Sequence, residues 1–226
     1  MRILKDIMFF VFPECCEVCG RLLSGGEKII CSPCLLGLPR TNFHMETDNP
    51  VAKLFWGRVS ITLATSWFYF NKGSDYQHLL HRLKYQGRAD IGIYLGKLFA
   101  SELIDSGFTK ADILIPVPLH PKKQRKRGFN QSMKISEGMR AVLNIPVNGT
   151  ALIRTSDTDT QTRRNRFDRF LNMKDKFEVK NPDQIAGKTI LLIDDVVTTG
   201  STLESCTQLL LESGCKEVMV ATLAVA

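Results

Sequence analysis

The sequence predicts an α/β protein, a parallel sheet flanked by helices, with a small cysteine module in front of it. Two apolar segments, 113–118 and 189–193, are too short for helices and suit strands buried on both faces. Segments with apolar residues at helical spacing alternate with these strands, which is typical of a parallel sheet. Two CxxC pairs precede both, between residues 16 and 34. A chain of 226 residues suits one such domain with a small appendage.

The remaining strands are predicted from composition and from the turns around them. Residues 59–70 are rich in β-branched and aromatic side chains, which indicates a strand or a hairpin. A short strand is expected at 150–153 and a last one at 217–225. The run at 189–193 is followed directly by Asp194 and Asp195, where we expect the strand to stop.

Apolar residues recur at helical spacing in several places, and Gly214 provides a helix cap. The helices predicted from this spacing lie at 76–84, 91–104, 130–143 and 201–212. Residues 41–57 have little periodicity and are typical of a linker. The polar stretch 157–176 is longer than most loops of a compact domain, and such loops are usually functional or mobile.

The charge favours anionic partners. Thirty Lys and Arg against 23 Asp and Glu give a net charge of +7, which suits a phosphorylated metabolite or a nucleic acid. Much of the excess lies in 122–127 and 163–169, although each stretch is also consistent with a solvated basic loop.

The N-terminal residues do not match a secretory signal. Their longest apolar run is 7–12, Lys5 and Asp6 interrupt it upstream, and no small-residue cleavage site follows. A short amphipathic helix is the expected structure here. No apolar run approaches the roughly 18 residues of a spanning helix, so the sequence predicts a cytoplasmic protein without a membrane span.

The front cysteines have the spacing of a structural zinc site. Two CxxC pairs form two knuckles whose four thiolates complete a closed tetrahedron, and the predicted ligands are Cys16, Cys19, Cys31 and Cys34. Disulfides or buried thiols are the alternative, but disulfides are rare in a chain without a secretion signal. Cys15 leaves the pairing open, because Cys15 and Cys19 have CxxxC spacing.

The loop after the strand 189–193 is predicted to bind a phosphate. In open α/β sheets ligands bind beyond the carboxyl ends of the strands. Residues 198–202, Thr-Thr-Gly-Ser-Thr, combine hydroxyl groups with a glycine at the start of a helix. Unpaired N–H groups and the helix dipole favour a phosphate dianion there, and Gly200 permits a close approach of the backbone.

Two aspartates beside a phosphate site indicate that the ligand is a sugar phosphate. Carboxylates would repel a phosphate but would accept hydrogen bonds from ribose hydroxyls, while the loop holds the 5-phosphate. The alternative is a helix-capping cluster with Asp194 and Asp195 facing solvent. The sequence contains neither GxxxxGK[ST] nor GxGxxG, so the common nucleotide-binding loops are excluded.

These residues carry a family resemblance. The run 190–202 resembles the signature of type I phosphoribosyltransferases along its whole length. The chain as a whole resembles the ComF family, which is named for bacterial competence. The resemblance extends to the front cysteines and to the segments Leu83-Lys84-Tyr85, Gly87-Arg88, Pro116 to Pro121 and Arg125 to Gln131.

The resemblance implies a site for phosphoribosyl pyrophosphate with Mg²⁺. Asp194 and Asp195 would be the catalytic pair, and the loop 117–120 would bind pyrophosphate, where relatives often have a cis peptide bond. The stretch 154–176 would be a mobile flap, and the region 59–88 a hood for the acceptor. The substrate-binding residues so implied are Val196, Val197, Thr198, Thr199, Gly200, Ser201, Thr202, Leu119, His120, Arg125 and Arg127.

The resemblance and the cysteines together predict three regions. A helix and cysteine module would occupy 1–40, a linker and hood-like region 41–110, and the phosphoribosyltransferase-like core 111–226. The hood candidates for acceptor binding are Tyr69, Phe70, Lys84 and Tyr85, with core packing an equal alternative for the aromatic residues.

Three functions are compatible with the sequence. The first is a magnesium-dependent phosphoribosyltransferase linked to DNA uptake. The second is a non-enzymatic accessory that senses a ribose phosphate or contacts single-stranded DNA, working with a competence helicase that the family suggests. The third, an adaptor with a vestigial pocket, is disfavoured by the intact aspartates and the hydroxyl-rich loop.

Overall fold

The computed structural model describes residues 14–71, 73–155 and 177–226. The α-helices in these ranges are α1 (Ser32–Leu36), α2 (Pro50–Lys53), α3 (Gln77–Tyr85), α4 (Ala89–Leu103), α5 (Pro121–Arg127), α6 (Gln131–Leu143) and α7 (Ser201–Glu212). The strands are β1 (Ala64–Tyr69), β2 (Ile113–Pro116), β3 (Leu152–Arg154), β4 (Phe177–Val179), β5 (Thr189–Val197) and β6 (Glu217–Val225). Short 3-10 helices lie at Phe43–Met45, Gly107–Lys110 and Pro182–Gln184.

The main sheet is parallel throughout and has the order β1-β6-β5-β2. The predicted parallel sheet is therefore confirmed. β1 lies at one edge and pairs with β6, so residues 64–69 of the region expected to form a hood belong to the main sheet. β3 and β4 form a separate antiparallel pair, on either side of 156–176 in the chain. Residues 156–176 of the expected flap, with the basic stretch 163–169, and the helix expected within residues 1–12 lie outside the described residues, whereas Arg154 belongs to β3.

Both faces of the sheet are covered by apolar side chains. Leu191 and Ile193 of β5 belong to the core cluster on one face, which α4 and α6 complete. Ile190 and Leu192 belong to the cluster on the other face, where α7 packs. Alternate residues of β5 are thus buried on opposite faces, and this explains why its sequence is continuously apolar.

One local expectation is wrong, and one interpretation is corrected. β5 does not stop at the aspartates but continues through Asp194 and Asp195 to Val197, because its backbone stays paired with β6 as far as Val225. Backbone pairing is independent of the polarity of a side chain that points out of the sheet. The basic stretch 122–127, for which a solvated loop was one interpretation, lies in the exposed helix α5, with Pro121 at its first turn and Gly128 in the left-handed conformation at its end.

Helices α4 and α6 cross with their backbones in contact. A Cβ atom on Gly96 would lie 2.2 Å from the carbonyl oxygen of Ile135, and one on Gly138 would lie 2.1 Å from that of Ile93. Only glycine fits at either position. This contact holds α6 against the sheet, and α6 begins at the edge where the predicted site lies.

Within the described residues, no helix combines the length and the apolar character that crossing a membrane requires.

The glycine contact predicts a contrast between two substitutions in α4. Gly96→Ala should destabilise the protein by about 2–3 kcal/mol, since a methyl group there meets backbone that cannot move without shifting α6. Gly92→Ala is the comparison in the same helix, because its Cβ would lie 2.9 Å from Lys134 Cβ and 3.1 Å from Leu83 Cδ1, a much smaller overlap with a correspondingly smaller cost. The gain in helix propensity, about 1 kcal/mol, should offset much of that cost. Urea denaturation measures both, and equal losses would contradict the packing argument.

Candidate functional site

The candidate site lies in the crevice between the carboxyl ends of β5 and β2. These strands are neighbours, with Pro116 paired to Ile193. The helices that follow them lie on opposite faces of the sheet, because α6 joins one core cluster and α7 joins the other. The loops after the two strands therefore diverge and leave a crevice between them, which is where open α/β sheets bind ligands.

The loop 198–202 forms a small cavity at the start of α7. The cavity has a volume of about 50 Å³ and is lined by Asp194 and residues 196–203. No described side chain caps this helix end. Thr199 Oγ1 and Ser201 Oγ lie 3.0 Å apart, so the two hydroxyl groups are within hydrogen-bond distance of each other. The loop thus offers hydroxyl donors and helix N–H groups at one small concave surface.

Gly200 is required by both its conformation and its surroundings. Its φ of 75° lies in the left-handed region, and a Cβ atom there would lie 3.0 Å from Cε1 of Phe55. Phe55 is fully buried under the loop, on the segment that follows α2. Phe55 therefore packs against one side of the loop, and this packing does not cover the concave side of the loop.

Arg58, on the same segment as Phe55, holds the loop through hydrogen bonds and an ion pair. Arg58 donates one Nη1 hydrogen bond to the carbonyl of Thr199, at 3.1 Å, and another to the carbonyl of Leu54, at 2.8 Å. Its Nη2 contacts the carboxylate of Glu204, a buried residue in the first turn of α7. The buried charge of Glu204 is thereby paired, and Arg58 ties three segments together.

Asp194 has its carboxylate held in place within the crevice. Ser132 Oγ and the backbone N–H of Asp195 each donate a hydrogen bond to Asp194 Oδ1, at 2.9 Å. Burial, and next the negative charge of Asp195, raise the pKa of Asp194 to about 7, against the lowering effect of those two hydrogen bonds. The site therefore contains a carboxyl group that a nearby cation or donor would ionise.

Asp195 forms an ion pair with a lysine from the opposite side of the crevice. Lys84 Nζ lies 3.0 Å from Asp195 Oδ2, and both side chains are largely buried. Lys84 is the penultimate residue of α3. Neither aspartate caps α7, so the expected alternative of a helix-capping cluster does not describe this arrangement.

The loop after β2 lies directly beside Asp194. The N–H of Val117 donates to the carbonyl of Ile193, at 2.8 Å, and Asn130 Nδ2 donates to the carbonyl of Val117, at 2.9 Å. Asn130 also caps α6 by accepting from the N–H of Ser132. One side chain thus connects the predicted pyrophosphate loop with the serine that bonds Asp194.

The expected cis peptide bond in the loop 117–120 is absent, since the described residues contain only trans bonds. The trans form is the lower-energy one, and the pairing of Val117 with β5 and Asn130 is made with trans geometry. Leu119 is half-buried, whereas His120 is buried and its Nδ1 accepts a hydrogen bond from the N–H of Lys122, which caps α5.

The two arginines of α5 have different surroundings. The guanidinium of Arg127 lies 5.2 Å from the ring centroid of Tyr85 and donates to Gln131 Oε1 at 2.9 Å. It therefore bridges the end of α3 and the start of α6, the two elements that contact the aspartates. Arg125 is exposed and lines a separate shallow cavity with other α5 residues.

The four predicted zinc ligands lie together. The Sγ atoms of Cys16, Cys19, Cys31 and Cys34 are all within 4.8 Å of one another, and Cys15 is not part of the group. Two of these sulfurs, those of Cys19 and Cys31, are 3.7 Å apart. A tetrahedral zinc site with Zn–S bonds of about 2.3 Å has sulfurs about 3.8 Å apart, so this spacing suits zinc.

Hydrogen bonding within the module favours a thiolate at Cys16. Burial raises the pKa of Cys16, but hydrogen bonds from the backbone of Cys19, Cys31 and Val18 outweigh that effect and lower the pKa to about 7. The N–H of Cys31 donates to Cys16 Sγ at 3.3 Å. A thiol that loses its proton near neutral pH is suited to be a metal ligand.

Comparisons with known proteins agree with this architecture. A model of the phosphoribosyl transferase domain matches residues 131–225. The DNA utilization protein YhgH of Shigella flexneri is 32% identical over 210 residues, covering 91% of this chain and 87% of that protein. The chain belongs to the ComF family. The competence protein F of Haemophilus influenzae is 33% identical over 147 residues, covering 63% of this chain and 64% of that protein.

Among solved structures, the chain is similar to a glutamine phosphoribosylpyrophosphate amidotransferase from B. subtilis, complexed with ADP and GMP. The TM-score is 0.45 at 22% identity, over 62% of this chain and 30% of that chain.

Several residues of this ComF protein's crevice were not identified from the sequence. Asn130 is the first residue of the helix predicted at 130–143, and asparagine is a typical helix cap, so the cap on the N–H of Ser132 could have been found. The link from Ser132 to Asp194 depends on the crossing of α6 over β5 and leaves no local pattern. Arg58 and Glu204 are separated by 146 residues, and only the fold brings them together.

The cysteine cluster predicts which ComF cysteine binds the metal. Cys16→Ser should lose most of the zinc, because a buried serine hydroxyl is a poor replacement for a thiolate. Cys15→Ser is the matched control and should retain about one zinc ion per chain. Mass spectrometry of the metal content of purified protein measures this. Loss of zinc from the Cys15 variant alone would mean that the CxxxC pairing holds the metal.

Proposed function

We propose that this protein is a magnesium-dependent phosphoribosyltransferase that binds phosphoribosyl pyrophosphate, in a bacterial pathway of DNA uptake or use. The observation that carries the proposal is the combination of a cavity of helix N–H and hydroxyl groups with two carboxylates in the same crevice. A site for a simple phosphate without a metal ion or sugar would not need those carboxylates so near the anion.

The 5-phosphate would occupy the cavity of the loop 198–202. The N–H groups at the start of α7 and the hydroxyls of Thr198, Thr199, Ser201 and Thr202 are donors suited to a dianion. Gly200 keeps the backbone in the conformation that makes this surface concave. The brace from Arg58 keeps the loop from moving when the ligand leaves, so the site is preorganised.

The ribose hydroxyls would bond the carboxylates of Asp194 and Asp195. These oxygens also suit Mg²⁺, which prefers carboxylates combined with substrate oxygens. Burial, and next the negative charge of Asp195, raise the pKa of Asp194, and a divalent cation would relieve the repulsion between the two carboxylates. When bound, Mg²⁺ would neutralise charge on the diphosphate.

The reaction would be displacement at C1 of the ribose. The bond from C1 to the diphosphate oxygen breaks and its electron pair leaves with pyrophosphate, while a nucleophilic acceptor donates the pair that forms the new bond to C1. Positive charge near the leaving group is the contribution expected from the protein. Arg127, which lies over the ring of Tyr85, and Lys84, which pairs with Asp195, would supply it.

A second candidate function is binding of single-stranded DNA without turnover. The observation that favours it is α5, in which Lys122, Lys123, Arg125 and Lys126 are all exposed on one short helix beside the crevice. Such a cluster suits a polyanion. The printed names of the relatives, a DNA utilization protein and a competence protein, are consistent with it.

Binding of phosphoribosyl pyrophosphate with Mg²⁺ tests the first function. We expect calorimetry to show binding by the wild type, and Asp195→Asn to weaken it about 10- to 100-fold through the loss of charge-assisted hydrogen bonds. Asp105→Asn is the matched control, because this exposed aspartate precedes β2, at the opposite end of the sheet. No binding by the wild type, together with salt-dependent binding of a single-stranded oligonucleotide, would favour the second function.

The pKa of Asp194 predicts a pH dependence of that binding. A carboxyl group with a raised pKa is protonated below about pH 7 and then cannot accept two hydrogen bonds from the ribose. Affinity for ribose 5-phosphate should therefore fall roughly tenfold between pH 8 and pH 6, measured without magnesium. Asp194→Asn should show only the dependence that arises from the phosphate group itself. Parallel pH profiles for the two proteins would contradict the assignment.

A further inference from the structure

Helix α3 connects the cysteine module to the catalytic carboxylates. At its beginning Tyr76 donates a hydrogen bond from its hydroxyl to the carbonyl of Cys34, at 2.8 Å. Near its end Arg82 pairs with Glu17, at 2.6 Å, and Lys84 pairs with Asp195, at 3.0 Å. We propose that Glu17 is a positioning residue for the ribose-phosphate site and acts through Arg82 and Lys84; the proposal rests on the function proposed above.

Glu17 lies between two of the cysteines that would hold the metal. Its side chain is 5% exposed, and its two oxygens pair with two arginines, Arg82 at 2.6 Å and Arg88 at 2.5 Å. Arg88 is fixed in turn by a bidentate pair with Asp90. A carboxylate buried inside a cysteine knuckle is costly unless it is paired, so the two guanidinium groups offset the desolvation of Glu17.

Helix α3 is short and firmly packed, so displacement at one end reaches the other. Leu79, Leu80 and Leu83 on its inner face are at most 2% exposed. Arg82 and Lys84 are two residues apart, about 3 Å along the helix axis. A shift that breaks the pair between Arg82 and Glu17 therefore also moves Lys84 relative to Asp195.

The ion pair of Lys84 involves a carboxylate that would bind the ligand. Asp195 is the carboxylate that would accept a ribose hydroxyl, and Lys84 fixes the orientation of one of its oxygens. Arg127 stacks on Tyr85, the last residue of the same helix, so α3 also positions a cation at the rim. The metal-binding module thus supports the site from a distance without contributing a group to it.

Calorimetry with phosphoribosyl pyrophosphate and Mg²⁺ tests the proposal on the full chain. Glu17→Gln should weaken binding about fivefold, a size typical of coupling through packed elements, while zinc content stays at the wild-type level. Glu14→Gln is the matched control, because it removes the same charge from an exposed position of the same module. Arg82→Gln breaks the pair from the helix side, and it replaces Glu17→Gln if that variant loses zinc.

A double-mutant cycle tests whether Glu17 acts through Lys84. Lys84→Met should weaken binding by itself, and adding Glu17→Gln to it should have no further effect, because the contact through which Glu17 acts is gone. Independent, multiplying effects of the two substitutions would overturn the proposal. So would wild-type affinity in both the Glu17→Gln and Arg82→Gln variants.

Hydrogen exchange separates this proposal from the function on which it rests. In the unliganded protein, Glu17→Gln should accelerate amide exchange in 77–85 and leave β5 and β6 unchanged, whereas general destabilisation would accelerate both regions. If the wild type binds no ribose phosphate, the proposed function fails, and the exchange pattern alone then shows whether Glu17 anchors the helix. If the wild type binds but exchange in 77–85 is unaffected, only the positioning role fails.

Discussion

The parallel pairing of β5 between β6 and β2 is the constraint on which the rest of the structure depends. It places Asp194 beside the loop 117–120 and keeps the strand straight up to Val197, so that α7 begins where a phosphate can meet its N–H groups. The helices after β2 and β5 lie on opposite faces, and the crevice exists because of that divergence. The carboxylates and the cavity therefore result from the fold, and neither could be formed by its own segment alone.

Much of the fold was predictable because its signals are local. Continuous apolar runs gave β2 and β5, and helical spacing gave α3, α4, α6 and α7 within a few residues. The errors arose where tertiary structure decided the outcome. Pairing with β6 carried β5 through two aspartates, and it also placed residues 64–69 of the expected hood in the main sheet.

The residues of the site also divide into those with a local sequence signal and those that only the fold brings together. The loop 198–202 and the four clustered cysteines were identifiable as candidate sites, because each is a compact pattern in which residue type and spacing suffice. The contacts that hold those groups were not identifiable. Ser132 reaches Asp194, Lys84 reaches Asp195 and Arg58 reaches Glu204 across long stretches of chain, and ordinary polar residues carry all three. Support of this kind depends on distance in space, which a single sequence does not record.

The backbone contact between α4 and α6 has a consequence for how this protein can vary. Arg88, which forms an ion pair with Glu17, is the N-cap of α4. Ser132, which donates a hydrogen bond to Asp194, lies in the first turn of α6. Gly96 packs against the carbonyl of Ile135, and Gly138 packs against the carbonyl of Ile93. The distance between the two helices is therefore fixed by backbone contacts. The pair acts as a rigid spacer between the metal module and the crevice. A methyl group at Gly96 or at Gly138 would therefore change the positions of Arg88 and Ser132 together.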